Sequence, residues 1–496
     1  MTGSLADPAG DHRTVAAFAA AAQAVRSRTE AKGAQEVVTF WDVVERTSHG
    51  ERMKESEFDA LLYQNVRAAI EKYDIHFDGE TAVPSDDGLA DRAYQAALEL
   101  FVNTGFYCTS TQRAVRFTRE EVEEAVRHAK TRYVFGEGRE RHVMGQRRVE
   151  DEKPPTCIFS HLGVPVKQDL FPKVCLAQAQ EPYADAFCCV SLHDTFRGIP
   201  IKSGHPVEIA ACMWDVSKRR EAARLAGRPG LGLYALVSVG ESTASIIAAS
   251  HPAFGALPRD VPQVGAIAEL KVDYERMNKV AFQREAGIGL AGLYGPLMGG
   301  YAGGPEGTML VQIAHFFLGL LAYDVEYHIC FPIDIHQTCS TTLPMLWLIS
   351  VYCQAIARNS RMLNICTTMA AGGPATDMLF YEMVNGAIAH TVSGAHSVQG
   401  GIARDKYPEH IGCLELRLGA ETYHAVARSG MTRTEANRVV KEILARYESD
   451  IPDAPLGKTF SELYDLERVK ALDFYEEMYR QKKKEVQEVG VDFSVL

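Results

Sequence analysis

Apolar and polar positions divide the chain into two textures. From Val38 to about Arg148 the apolar residues recur at helical spacing: Phe58, Leu61, Leu62, Val66 and Ile70 within Glu57–Tyr73, then Ala93, Ala96, Ala97 and Leu100 within Asp91–Asn103. Thr118, followed by Glu120 and Glu121, predicts another helix start, because both side-chain types satisfy the orphan amides of a first turn. After the polar, Pro-containing segment Glu150–Pro155, short apolar runs alternate with amphipathic helices, the pattern of βα units. The strand-like runs are Thr156–Leu162, Ala186–His193, Gly232–Val239, Ala266–Asp273, Gly289–Leu297, Tyr327–His336, Leu363–Ala370 and Ala395–Ile402. Helical runs between them include Pro206–Gly227, Glu306–Tyr323, Thr342–Asn359 and Ala375–Gly394.

About eight such units, each of roughly 35 residues, predict an α/β chain folded as a TIM (β/α)8 barrel. A doubly wound sheet is the rival, but it expects a glycine-rich phosphate loop after its first strand, and Gly163-Val164-Pro165-Val166 has the wrong spacing. The predicted organisation is a tail over 1–37, a helical N-terminal region over 38–150, the barrel over 151–430, and charged C-terminal helices over 431–496 packed on it. Composition narrows the function classes. With 46% hydrophobic residues the chain can bury a large core, and a formal charge of −12 argues against a nucleic-acid footprint. The 11 cysteines include no Cys-x-x-Cys pair, and the apolar stretch Leu343–Ala357 falls short of a membrane span. Asp7, Asp11, His12 and Arg13 break up any signal peptide, so a cytoplasmic enzyme is expected.

Side chains of one parity along a barrel strand face the lumen, so polar residues of shared parity are the first candidates for chemistry. Glu269, Lys271 and Asp273 share a face on the fourth run, as catalytic groups or as an internal ion-pair ladder. His328, Cys330, Asp334 and His336 share one on the sixth, with Pro332 able to bend the run. Asp334 and His336 could form an acid–base pair or bind a metal, although nothing elsewhere completes a ligand set. The clusters Gly299-Gly300-Tyr301-Ala302-Gly303-Gly304 and Gly372-Gly373-Pro374 are either ligand-approaching backbone or tight turns.

Five motifs then stand out: Gly105-Phe106-Tyr107-Cys108-Thr109, the run Gly227-Arg228-Pro229-Gly230-Leu231-Gly232-Leu233-Tyr234, Glu269-Leu270-Lys271-Val272-Asp273, Met298–Gly304 and Gly457-Lys458-Thr459-Phe460. In order and spacing they resemble the monomethylamine methyltransferase family over residues 38 to 493. The resemblance implies a homo-oligomeric TIM-barrel methyltransferase that passes a methyl group from a small amine to the Co(I) corrinoid (cobalamin) of a cognate corrinoid protein, with no tightly bound cofactor of its own. It also implies that Tyr234 stands where the family carries pyrrolysine, whose electrophilic imine is thought to capture the amine. Leu293, Thr367 and Met369 stand where the family has a Glu, a Gln and a Tyr, and Gln263 replaces a second Glu.

A phenol cannot form such an adduct, so the expected substrate is a different small methylated compound, above all a quaternary or tertiary amine. Tyr234, Asp334 and His336 are the candidate catalytic residues. Gln263, Glu269, Leu293, Tyr294, Thr367 and Met369 are the candidate substrate contacts, and no metal, nucleic acid or membrane partner is expected. Alternatives are a barrel lyase or hydrolase using Asp334 and His336, and a non-catalytic homologue that binds the corrinoid protein.

Overall fold

A computed structural model describes residues 37–496 except 162, 189, 193, 194, 237–241 and 401. The expected tail over 1–36 lies outside the described residues, as do Leu162, His193 and Val239, the predicted ends of three strands. Eight parallel strands form one sheet: β1 (Cys157–Phe159), β2 (Ala186–Phe187), β3 (Gly232–Leu233), β4 (Gln263–Gly265), β5 (Ala291–Tyr294), β6 (Tyr327–Cys330), β7 (Asn364–Thr368) and β8 (His396–Gln399). Hydrogen-bonded pairing runs β3-β2-β1-β8-β7-β6-β5-β4, the neighbour order of a (β/α)8 barrel. The continuous sheet is open between β3 and β4, where a single parallel bridge joins Tyr234 to Val261.

Three predicted strands are corrected. The fourth lies at Gln263–Gly265 rather than Ala266–Asp273, because Lys271–Val272 pairs with Phe106–Cys108 in a separate sheet that also holds Glu51–Arg52 and Arg113–Val115. The fifth and sixth runs each break at a proline, Pro296 and Pro332, where the ring removes a backbone donor. Beyond the breaks both resume as a short upper pair, Leu297–Met298 beside Ile333–Asp334. A matching upper pair, Pro165–Val166 beside Ser191–Leu192, extends β1 and β2.

The N-terminal region is helical in part. Helices Phe40–His49, Glu55–Lys72, Asp87–Thr104 and Arg119–Arg127 are joined by strands, and Thr118 and Glu121 form the expected capping box. A hairpin, Arg132–Phe135 with His142–Gly145, places Tyr133, Phe135 and Met144 in the lumen cluster with Ile158, Ala186, Tyr327, Ile329 and Ile365. The glycine run before β3 exists to admit this plug: a Cβ on Gly230 would collide with the Glu137 carbonyl oxygen, and one on Gly232 would lie 2.9 Å from the Gly136 nitrogen. Outside the barrel, the C-terminal helices Leu414–Ser429, Arg433–Leu444 and Asp473–Glu488 pack on Asp377–Val392. One segment, Pro305–Tyr323, is long and apolar enough to cross a membrane by composition, but 89% of it is buried inside this fold.

The seam between β3 and β4 is held by side chains where backbone pairing is sparse. Asp260 accepts from the Leu233 and Leu257 amides at 2.8 and 2.7 Å and from the Arg220 guanidinium at 2.6 Å. Arg220 also donates to the carbonyls of Gly255, Pro229 and Leu231 at 3.0, 3.1 and 2.7 Å. Both partners are buried. Asp260→Ala strands a buried guanidinium and is expected to destabilise the fold by about 3–5 kcal/mol, readable as a lower urea midpoint.

Candidate functional site

The barrel strands bring four of the expected residues to one lumen, Gln263 at the start of its strand and the others toward the C-terminal ends. Tyr234, 2% exposed, closes the end of β3 and packs in the lumen cluster with Cys188, Val261, Ile329 and Ile365. Leu293 on β5 packs against the same cluster. Gln263 pairs in register with lumen-facing Ala291, and Thr367 lies two residues beyond lumen-facing Ile365, so both share the inward parity. Met369 follows on the loop after β7, its backbone fixed in both directions by Ser340 at 2.8 and 2.9 Å.

Burial pushes the Tyr234 phenol well above its usual pKa, with the thiols of Cys188 and Cys330 adding to the effect. Tyr234 is therefore neutral, offering a ring face rather than an oxyanion or a ready proton. Behind it, fully buried Arg219 pairs with Asp215 at 2.5 Å and donates to the Ala235 carbonyl at 2.9 Å, clamping the strand end. Sequence reasoning passed over this pair, although a charged i, i+4 couple on helix Pro206–Leu225 is a visible signal.

Other expectations are corrected. On β6 it is Tyr327 and Ile329 that face the lumen, not His328 and Cys330. His328 lies outside the barrel, its ring 4.5 Å from Phe316, and burial lowers its pKa to about 3. Cys330 accepts from the Gln312 amide at 3.1 Å. Tyr294, expected at the substrate, also faces the helices: it stacks on His315 at 5.5 Å and presses on Gly319, where a Cβ would collide with its hydroxyl.

The charged trio of the expected fourth strand is likewise dispersed. Glu269 leaves the barrel to accept from the Leu297 amide at 2.9 Å, beside the Gly299–Gly304 loop. Lys271 pairs with Asp59 and Glu55 at 2.7 and 2.8 Å, and Asp273 caps helix Tyr274–Ala286.

Asp334 and His336 do not form an acid–base couple. The Asp334 carboxylate, 8% exposed, accepts from the backbone amides of His336 and Gln337 at 2.8 and 3.1 Å, fixing its own turn. His336 is exposed and lies over Gly299, with a Cβ there 3.4 Å from its Nε2. Among the described residues no ion pair joins the two. The glycine clusters resolve as close backbone contacts: Gly373 donates to the Pro455 carbonyl at 2.8 Å, and a Cβ on it would collide with the Leu456 oxygen. Glu382, buried behind β7, holds the same loop through the amides of Ala371 and Gly372, each at 2.8 Å.

Comparison with known proteins places this architecture. The family model described as monomethylamine methyltransferase MtmB matches residues 38–491. Monomethylamine methyltransferase MtmB1 of Methanosarcina acetivorans is 27% identical over 459 residues, 91% of this chain and 98% of that protein. MtmB of Methanosarcina mazei matches to the same extent, 27% over 459 residues. The crystal structure of the Methanosarcina barkeri enzyme superposes with a TM-score of 0.89 at 25% identity, covering 93% of this chain and 100% of that one.

Two buried carboxyls give the fold a pH signature. Burial raises Glu269 and Glu382 from 4.5 to about 7, against the opposing pull of their amide donors. Since the folded values lie above the unfolded ones, their contribution to stability is full below about pH 4.5 and is lost as pH rises through 7. A tenfold change in proton affinity is worth about 1.4 kcal/mol, so the expected loss is on the order of 2–3 kcal/mol for each group. Urea melts at pH 5 and pH 8 should show Glu269→Gln losing part of the wild-type difference.

Proposed function

We propose that this chain, which belongs to the monomethylamine methyltransferase MtmB family, moves a methyl group from a small quaternary ammonium compound to the Co(I) corrinoid of a partner protein. The observation that carries the reading is the neutral, buried Tyr234 in a lumen lined by Cys188, Ile329, Ile365 and Leu293. That wall offers no electrophile to capture a primary amine. Among the described residues it offers no acidic group beside Tyr234 able to protonate one, because the phenol's own pKa is raised. A primary ammonium can shed its proton on entering an apolar lumen and would then have to leave as an amide anion, whereas a quaternary nitrogen has no proton to lose and leaves as a neutral amine.

The partner's corrinoid, when docked, supplies the nucleophile: the methyl carbon gains a bond to cobalt while the C–N electron pair stays on nitrogen. This chain's part is placement and electrostatics. The Tyr234 ring presents its negative face to the cation, and Leu293 and Met369 give apolar surface to the N-methyl groups. Thr367 lines the same end of the lumen. Asp334 is a positioning residue whose turn shapes the rim where the upper strand pair ends. Exposed Ile335 and Tyr301 beside that rim suit a docking partner.

Purified chain mixed with reduced cobalamin or a corrinoid protein and separate methyl donors tests this directly. Methylated corrinoid is expected from a quaternary ammonium donor and not from monomethylamine; the reverse pattern sinks the proposal. Tyr234→Phe, which keeps the ring face, is expected to stay within about 3-fold of wild type. Tyr234→Leu should lose about 10–30-fold in kcat/KM, the scale of a desolvated cation–π contact of about 2 kcal/mol.

A further inference from the structure

The floor of the lumen holds two polar atoms with nothing to bond. Gln263 on β4 pairs in register with Ala291 on β5, and Ala291 with Tyr327 on β6, so the three residues share the inward parity. Ala291 is small, leaving the Gln263 amide and the Tyr327 phenol as the polar tips of this stretch of wall. Gln263 Oε1 and the Tyr327 hydroxyl are both buried and unpartnered among the described residues. The Tyr327 ring is seated on the hairpin plug, 4.9 Å from Tyr133 and 5.6 Å from Phe135, so its place is set by packing. Burial pushes the Tyr327 phenol well above its usual pKa, and Tyr133 and Tyr234 add to the effect.

A buried hydroxyl or amide oxygen without a partner costs on the order of 1–3 kcal/mol, a penalty that a purely structural site would remove by substitution to Phe or Leu. An unpaired donor and an unpaired acceptor facing one lumen match a group that both accepts and donates: a hydroxyl. A carboxylate fits worse, since it can only accept, would face the Gln263 carbonyl oxygen, and would enter an apolar lumen as a bare charge.

We infer that Gln263 and Tyr327 form a polar notch that reads a hydroxyl on the substrate's non-reacting arm, making the preferred donor a hydroxyalkyl trimethylammonium compound. This rests on the quaternary-ammonium reading above. Tyr327 donates to the hydroxyl oxygen, and Gln263 accepts its proton without transfer, so the notch positions the cation beneath the mouth and takes no part in bond making.

Calorimetric titration of the full-length chain with hydroxyethyl-, ethyl- and carboxymethyl-trimethylammonium tests the notch separately from methyl transfer. The hydroxyethyl compound is expected to bind at least about 10-fold tighter than the ethyl compound, as a buried, satisfied hydrogen-bond pair predicts. Tyr327→Phe and Gln263→Met should each erase most of that preference. Tyr327→Phe should also hold or raise the melting temperature, because it deletes an unpaired hydroxyl. Equal binding of the hydroxyethyl and ethyl compounds, or tighter binding of the carboxymethyl one, overturns the notch and leaves the quaternary-ammonium reading standing. A lower melting temperature for Tyr327→Phe with the preference intact also overturns it, since the hydroxyl is then structural. Failure of all three cations to bind overturns both.

Discussion

Closing eight short strands into a ring is the constraint on which the rest of this structure depends, and it is weakest between β3 and β4. Among the described residues each of those strands is two or three residues long, and backbone pairing across the gap comes down to Tyr234 and Val261. Asp260 and Arg220 make up the difference by bonding the β3 backbone and the loops on both sides of the seam. Tyr234 thus has two separable roles. Its backbone closes the ring, donating to the Phe187 carbonyl at 3.0 Å and bridging to Val261, while its side chain fills the lumen. Because closure uses only the main chain, the frame tolerates any residue at 234 whose side chain the lumen can hold.

The same division runs through the recognisable motifs. The Gly227–Tyr234 run meets the hairpin plug, with Arg228 binding the carbonyls of Ala179, Glu181 and Ala184. Glu269 steadies the glycine loop after β5, Lys271 ties that region to helix Glu55–Lys72, and Gly457 docks on Gly373 and Pro374. These residues bond to one another's backbones rather than to the lumen. Each is constrained by a close approach that few other residue types could make.

Strand number and order were readable because each βα unit buries its own apolar strand beneath its own helix, a local pattern. Inward parity was not, and β6 shows why. His328 and Cys330 alternate with Tyr327 and Ile329 as regularly as any strand, but polarity alone says nothing about which face is the lumen. In this barrel the hairpin plug makes the lumen apolar, while the surrounding helices offer the polar neighbours His315 and Gln312. The fourth strand was misplaced for a related reason. Lys271 is held by Asp59 and Glu55, more than 200 residues earlier in the chain, and no local periodicity encodes such a pairing. Asp334 was legible as a strand-end carboxylate, but its engagement with the turn at His336 and Gln337 depends on the break at Pro332.

An apolar lumen also limits what chemistry the barrel can perform. Stabilising a developing anion needs fixed donors or a cation, and the described walls around Tyr234 present a neutral phenol, a thiol and hydrocarbon. The nearest described cation, Arg219, is already engaged by Asp215 and by the Ala235 carbonyl on the outer side of the strand. A reaction that instead discharges a cation suits such walls, because the substrate enters charged, leaves neutral, and gains from a low dielectric as its charge disappears. Aromatic faces can hold the incoming cation without a counter-ion tight enough to stabilise the ground state over the transition state. On the quaternary-ammonium proposal, the neutral Tyr234 in this lumen requires the leaving group to arrive already made.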